Sequence, residues 1–290
     1  MAAEGSARQF AGKIAAITGS TQGLGEATAR LFAARGAAGL AICGRNVERG
    51  ERIARELSGT GCPTEFVRAD LERIDDGRHF VDSAEASFGR LDILVNCAAA
   101  TDRGTVETTT EEIWDKLFTL NVKSQFFLIQ RAVEVMRRHG IPGAIANVGT
   151  MVAYGGPPYL IAYSASKGAL MTMTRGIANA LKRDQIRINT LNIGWTNTPR
   201  EHVVQTQVHG RPENWLEIVS RNQPFGRLIE PDEVARALAF LCSDESGLMT
   251  GAVIDFDQTI IGTMDEKKSV RVRSSVAGST PSRQLTLTTA

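Results

Sequence analysis

Four cysteines stand in 290 residues, and no two of them form a CxxC pair. Cys43, Cys62, Cys97 and Cys242 are scattered, with no histidine at metal-ligand spacing. This pattern excludes a disulfide framework and a structural zinc site, and it predicts reduced thiols and no bound metal. An excess of charge is missing too. Lysine and arginine number 33 against 32 acids, a formal net charge of +1, so no global field draws nucleic acid or an anionic membrane. No apolar run approaches the length of a membrane-spanning helix. The opening residues, MAAEGSARQF, lack the apolar core of a secretory signal, and the expectation is a cytoplasmic protein. No internal repeat and no linker divides the chain before its last thirty residues or so.

Short apolar runs alternate with amphipathic patterns. The runs Lys13–Thr18, Gly39–Cys43, Thr64–Arg68, Leu91–Asn96, Ala144–Gly149, Ile186–Ile193 and Ala252–Asp257 read as buried strands. Between them, Leu24–Arg35, Val47–Leu57, Asp75–Phe88, Glu111–Arg138, Tyr163–Lys182 and Asp232–Leu241 carry helical periodicity. Strands alternating with helices predict an α/β fold: one doubly wound, parallel, seven-stranded sheet of Rossmann type with helices on both faces, spanning 1–262. The polar stretch 196–225, with Pro199, Pro212 and Pro224, breaks this rhythm after a strand. Doubly wound sheets place ligands there, so it reads as a substrate lid. From Thr263 to Ala290 the chain turns rich in serine, threonine and basic residues. That composition suits a tail, flexible or docked on a neighbouring subunit.

The first strand candidate runs into TGSTQGLG, with Gly19, Gly23 and Gly25, and a helix pattern follows at once. Glycines there permit a tight turn and close approach to a pyrophosphate, and the helix N-terminus offers free N–H groups. The spacing differs from the commoner Gly-x-Gly-x-x-Gly. The second strand ends in CGRN, with Gly44 and Arg45 and no acid. An acid at this turn binds the ribose hydroxyls of NAD, whereas an arginine pairs with a 2′-phosphate. The expected cofactor is therefore NADP(H), with NAD(H) still open. Tyr163 and Lys167, in AYSASKGAL, share a helix face at i and i+4. A phenol of pKa near 10 is a poor proton donor at neutral pH. A neighbouring ammonium, with the positive charge of an oxidised nicotinamide, would stabilise the phenolate and bring its pKa down.

Taken together, TGSTQGLG, YSASK and the seven strand candidates resemble the short-chain dehydrogenase/reductase family, in its compact single-domain branch, from about Gly12 to Gly262. The resemblance implies an oxidoreductase that interconverts a carbonyl and an alcohol by hydride transfer, with Tyr163 as acid–base catalyst beside Lys167. It assigns Asn121, in TLNVKS, to a helix kink and a proton-relaying water. Thr150 stands thirteen residues before the tyrosine, where the family has serine. Threonine keeps the hydroxyl, and its methyl narrows the pocket. On the cofactor the resemblance places Thr21, Gln22 and Leu24 in the glycine turn, Asp70 and Leu71 at the adenine, and Asn96 and Ala98 after the fourth strand. It places Gly194, Thr196 and Thr198 on the nicotinamide side. Departures accumulate around these positions: Cys97 and Ala99 in NCAA, Ile193 before Gly194, and Gln258 and Thr259 after Asp257.

Met151, Val152, Tyr154, Tyr159 and Trp195 are the candidate substrate walls, with Asn197, Arg200, His202 and His209 from the lid. They suit an apolar or ring-bearing ketone and equally a sugar or polyol, so the substrate stays open. The partner is a small carbonyl or alcohol. The wide apolar arc on the helix carrying Met171, Met173 and Ile177 suits core packing, and the family resemblance favours a homodimer or homotetramer. Two other classes remain: an idle nucleotide-binding protein on the same fold, and a structural oligomer whose basic tail binds anionic partners.

Overall fold

The computed structural model describes residues 8–263. Seven strands form one sheet: β1 (Ile14–Thr18), β2 (Gly39–Gly44), β3 (Thr64–Arg68), β4 (Ile93–Asn96), β5 (Ala144–Thr150), β6 (Arg187–Ile193) and β7 (Val253–Phe256). All neighbours pair in parallel, in the order β3-β2-β1-β4-β5-β6-β7. The strand order reverses between β1 and β4, which opens a crevice at their carboxyl ends.

Helices cover both faces. They are α1 (Gly23–Ala34), α2 (Val47–Gly59), α3 (Ile74–Phe88), α4 (Glu111–Phe118), α5 (Ser124–Arg138), α6 (Ile161–Leu181), α7 (Pro199–Val203), α8 (Trp215–Ser220) and α9 (Pro231–Cys242). Successive strand residues point to opposite faces, so Ile17 and Ala16 enter different cores. On one face Phe32, Ile53 and Leu238 close over Ile17, Ile42 and Leu191. On the other, Phe80, Leu128, Met136 and Leu181 close over Ala16, Leu94 and Ile188. Burying each of the larger of these side chains stabilises by about 1.5–3 kcal/mol. Phe80, 0 % exposed, is the position where truncation to alanine would open the costliest hole on its face.

The expected continuous helix Glu111–Arg138 is broken. Between α4 and α5 the turn Thr119–Lys123 is a π-helix, and Asn121 lies at its centre. The cause is a side-chain anchor. Asn121 Oδ1 accepts from Ala100 N at 2.9 Å, and its Nδ2 donates to Ala100 O and Ser166 Oγ, each at 3.0 Å. Meeting all three pulls one extra residue into the turn.

The proline-rich segment after β6 holds more structure than its sequence suggests. Thr198 caps α7, its hydroxyl accepting from Glu201 N at 3.1 Å, and Pro199 opens that helix. Trp215, 1 % exposed, packs with Val219 and Leu228 in a small apolar cluster with Trp195 against it. Residues up to Thr259 form one compact unit, and a second begins at Ile260. The tail expected after Thr263 lies outside the described residues. Among these, no helix is long and apolar enough to cross a membrane, and no acid–histidine–cysteine cluster could hold a metal.

Candidate active site

The cleft at the carboxyl ends of β1 and β4 is floored by a polar row. Thr18, Asn96, Asn147 and Thr190 lie in register across β1, β4, β5 and β6, each at most 1 % exposed. Asn96 Nδ2 donates to Asn147 Oδ1 at 2.9 Å, and Asn147 Nδ2 donates to Thr174 Oγ1 at 3.0 Å. Thr174 and Thr190 share a hydroxyl bond of 2.8 Å. Thr18 Oγ1 accepts from Cys97 N and Ala98 N at 3.0 and 3.1 Å, which seats the loop after β4. Asn96 therefore acts from below the cleft, not in its wall.

The glycine turn closes the cleft on one side. Gly19 has φ +63°, and a Cβ there would lie 2.9 Å from Ala98 Cα; one on Gly25 would lie 2.4 Å from Gly19 O. Only glycine permits this packing of turn, helix and opposite loop. Gln22 precedes α1 without a side-chain cap, so the first-turn N–H groups open on the cleft. Thr21, Leu24 and Thr198 line the same space. At the far end stand Arg45, Asp70 and Leu71. Arg49, one turn beyond Arg45, donates to Gln22 Oε1. Asp70 Oδ1 accepts from Glu72 N at 3.2 Å, which holds its own turn.

Tyr163 and Lys167 face the cleft from the first turns of α6. Lys167 is 1 % exposed, and its Nζ donates to Val148 O at 2.8 Å. Burial pulls its pKa down to about 8. The half-buried Tyr163 is pushed up to about 12 by burial, with the Thr150 hydroxyl and the Arg103 charge pulling the other way and Glu201 adding to the rise. Thr150 ends β5, and its hydroxyl also accepts from Val152 N at 3.4 Å.

The substrate walls read from sequence separate. Trp195 donates from Nε1 to Glu201 Oε1 at 2.8 Å and lines a different cavity, with Arg211 and Trp215. Tyr159 meets the ring of His209 edge-on at 5.6 Å. His202 Nδ1 accepts from Trp215 Nε1 at 2.9 Å, which makes it a packing residue of the lid segment. Met151 is buried, and Val152 sits beside it in the short turn after β5. Thr196 is buried with its hydroxyl on Gly194 O at 3.0 Å, and Gly194 lies hard against Asp257. Two residues that sequence reading missed, Arg103 and Glu201, stand beside Tyr163. Nothing in the local pattern marks Arg103; Glu201 could have been found from the Thr-Pro-x-Glu start of a short helix.

A family model described as enoyl-(acyl carrier protein) reductase matches residues 19–258. An NADP-dependent (R)-specific alcohol dehydrogenase of Lentilactobacillus kefiri is 34 % identical over 243 residues, 83 % of this chain and 93 % of that one. A solved short chain dehydrogenase/reductase family protein superposes with a TM-score of 0.73 at 31 % identity, over 86 % of this chain and 97 % of the other. The chain belongs to the short-chain dehydrogenase/reductase family. It is an NAD(P)-dependent oxidoreductase acting on CH–OH groups. A solved 3-oxoacyl (acyl-carrier-protein) reductase from Agrobacterium tumefaciens C58, with NADP bound, matches with a TM-score of 0.78 at 26 % identity, covering 86 % and 95 % of the two chains. The cradle fits such a dinucleotide: a glycine turn with no room for side chains, an uncapped helix start, and Arg45 at the far end.

Proposed function

We propose that this dehydrogenase/reductase interconverts a ketone or aldehyde and its alcohol, with NADP(H) as the preferred cofactor and Tyr163 as the acid–base residue. The observation that carries the reading is the placement of Tyr163 and Lys167 on the cleft above the glycine turn, with Thr150 at the end of β5 acting on the phenol. The nicotinamide, when bound, supplies or takes up the hydride. Tyr163 gives its proton to the carbonyl oxygen in reduction. Burial keeps it protonated at neutral pH, the form that step needs. In oxidation it takes the alcohol proton. Thr150 orients the reacting oxygen, and Lys167, anchored on Val148 O, holds the ribose hydroxyls with its remaining N–H groups. Asn121 keeps the π-turn in place, and that turn loosens the backbone beside the site. Ala98 lines the cofactor cleft, with Asn96 beneath it and Gly194 and Thr196 shaping the strand end nearby; Met151, Val152 and Tyr159 bound the substrate side.

Arg45 and Arg49 support NADP(H) over NAD(H). Arg45 lines the adenosine end with no acid beside it at the end of β2, and Arg49 bonds Gln22 nearby. Exposed Trp114, Phe126 and Ile161, on α4, α5 and α6, support a homodimer or homotetramer. The test follows NADPH absorbance with a panel of ketones, aldehydes and sugars. Tyr163→Phe should abolish turnover while NADPH still binds. NADPH binding with no turnover of any carbonyl would favour the idle nucleotide-binding protein instead.

A further inference from the structure

We propose that Arg103 anchors a carboxylate of the substrate, so that the natural substrate is an oxo acid or hydroxy acid and not a neutral ketone or sugar. This deepens the carbonyl–alcohol reading above and rests on it.

Arg103 follows β4 by a short loop, two residues after Thr101, which lines the cleft. Gly104 N donates to Tyr159 O at 3.0 Å, and Gly104 pairs with Leu160 in an isolated parallel bridge. These contacts fix the loop against the residues that lead into α6, beside Tyr163. The Arg103 side chain is 19 % exposed. A guanidinium so far removed from water is normally matched by a carboxylate. Here it is not. Nη1 donates to Thr101 O at 3.2 Å, a neutral acceptor. Nη2 stops 3.9 Å from Glu201 Oε2, beyond hydrogen-bond reach. Nε is buried with no partner among the described residues.

Of the neighbouring acids, only Glu201 Oε2 faces Arg103, at 3.9 Å. Asp102 is held by Lys116 Nζ at 2.8 Å. Glu201 Oε1 already accepts from Trp195 at 2.8 Å and from Gln205 at 2.5 Å. The under-satisfied edge of Arg103 is thus the one formed by Nε and Nη2, whose two N–H groups run side by side and match a carboxylate in a bidentate fork once the loop gives way to admit one. Its charge reaches both Tyr163 and His209. A second cation, Arg211, lies over the Trp195 ring at 5.7 Å on the same lid segment. Arg211 belongs to the neighbouring cavity, and its charge adds to that of Arg103 at His209. A sugar or neutral ketone brings nothing that such an edge binds strongly. A carboxylate completes it.

The test uses oxo acids of increasing chain length, each against its methyl ester, with NADPH and the full chain. Wild type should favour the best acid over its ester by on the order of a hundredfold in kcat/KM, the worth of a charge-assisted pair. Arg103→Met should bring that ratio close to one, and Arg103→Lys should leave it intermediate and salt-sensitive. Glu201→Gln separates anchoring from a mere latch between loop and lid. It should keep or raise the acid preference, because it removes the competing carboxylate. A second readout is the melting temperature of the NADPH complex with an unreactive saturated carboxylate, which should rise in wild type and not in Arg103→Met. Equal turnover of acid and ester by wild type overturns the inference and leaves the carbonyl–alcohol reading standing. So does an equal loss on both substrates in Arg103→Met and Glu201→Gln. Failure of every acid and ester, with NADPH bound, overturns the carbonyl–alcohol reading and the inference with it.

Discussion

Lys167→Met should make the protein more stable at neutral pH while abolishing its activity. The buried ammonium holds a pKa of about 8, against an ordinary 10.5. Between those values the folded chain binds fewer protons than the unfolded one, so stability rises with pH across the window. Below about 8 the full desolvation penalty is present. The gap converts, at about 1.4 kcal/mol per pH unit, to about 3 kcal/mol. Methionine removes that penalty but leaves Val148 O without its 2.8 Å donor, which costs about 1–2 kcal/mol. The net gain at pH 7 is therefore about 1–2 kcal/mol. At pH 9.5 the penalty left in wild type is about 1 kcal/mol, and the advantage of the variant falls by about 2 kcal/mol. Urea unfolding of both proteins without nicotinamide cofactor, at the two pH values, measures this directly. A variant less stable at pH 7, by an amount that does not change with pH, refutes the reasoning.

Other consequences are simpler to read. Arg45→Asp should weaken NADPH binding by at least tenfold, about 1.4 kcal/mol or more, and leave NADH less affected; calorimetric titration of both cofactors checks it. Gly25→Ala forces a Cβ to 2.4 Å from Gly19 O and should lower stability by about 2 kcal/mol or more along with cofactor affinity, seen as a lower melting temperature that NADPH no longer raises. Thr150→Val should cut kcat by on the order of a hundredfold, whereas Thr150→Ser should retain activity, since the hydroxyl and not the methyl meets Tyr163.

The sheet was legible because its strands are short apolar runs with clear ends. Five of the six helix patterns found α1, α2, α3, α6 and α9 to within a few residues. The π-turn at Thr119–Lys123 was not legible as backbone. It arises from tertiary bonds of Asn121 to Ala100 and Ser166, which no local spacing encodes. The lid segment shows the same limit. Trp195 reads as a pocket wall from its position, but an indole follows its hydrogen-bond partner, and that partner is Glu201. In the cleft the glycine turn was readable because a tight turn before a helix carries its own chemistry, whereas Asp70 came only with the family resemblance. Arg103 was not readable, since its meaning lies in what fails to pair with it.

The polar row beneath the cleft has a consequence for how the chain finds its fold. Strands buried on both faces carry no alternation of apolar and polar residues, so their pattern alone does not forbid sliding by a residue. Thr18, Asn96, Asn147 and Thr190 supply what the pattern lacks. A slip of β4 against β5 would set the Asn96 amide beside aliphatic carbon and strand it without water, at a cost of about 1–3 kcal/mol for each orphaned group. The four positions act as a key that admits one alignment of the central strands. Because the key lies at the carboxyl ends, the strand ends that carry Thr150 and the loop to Ala98 are aligned in the same step that selects the fold.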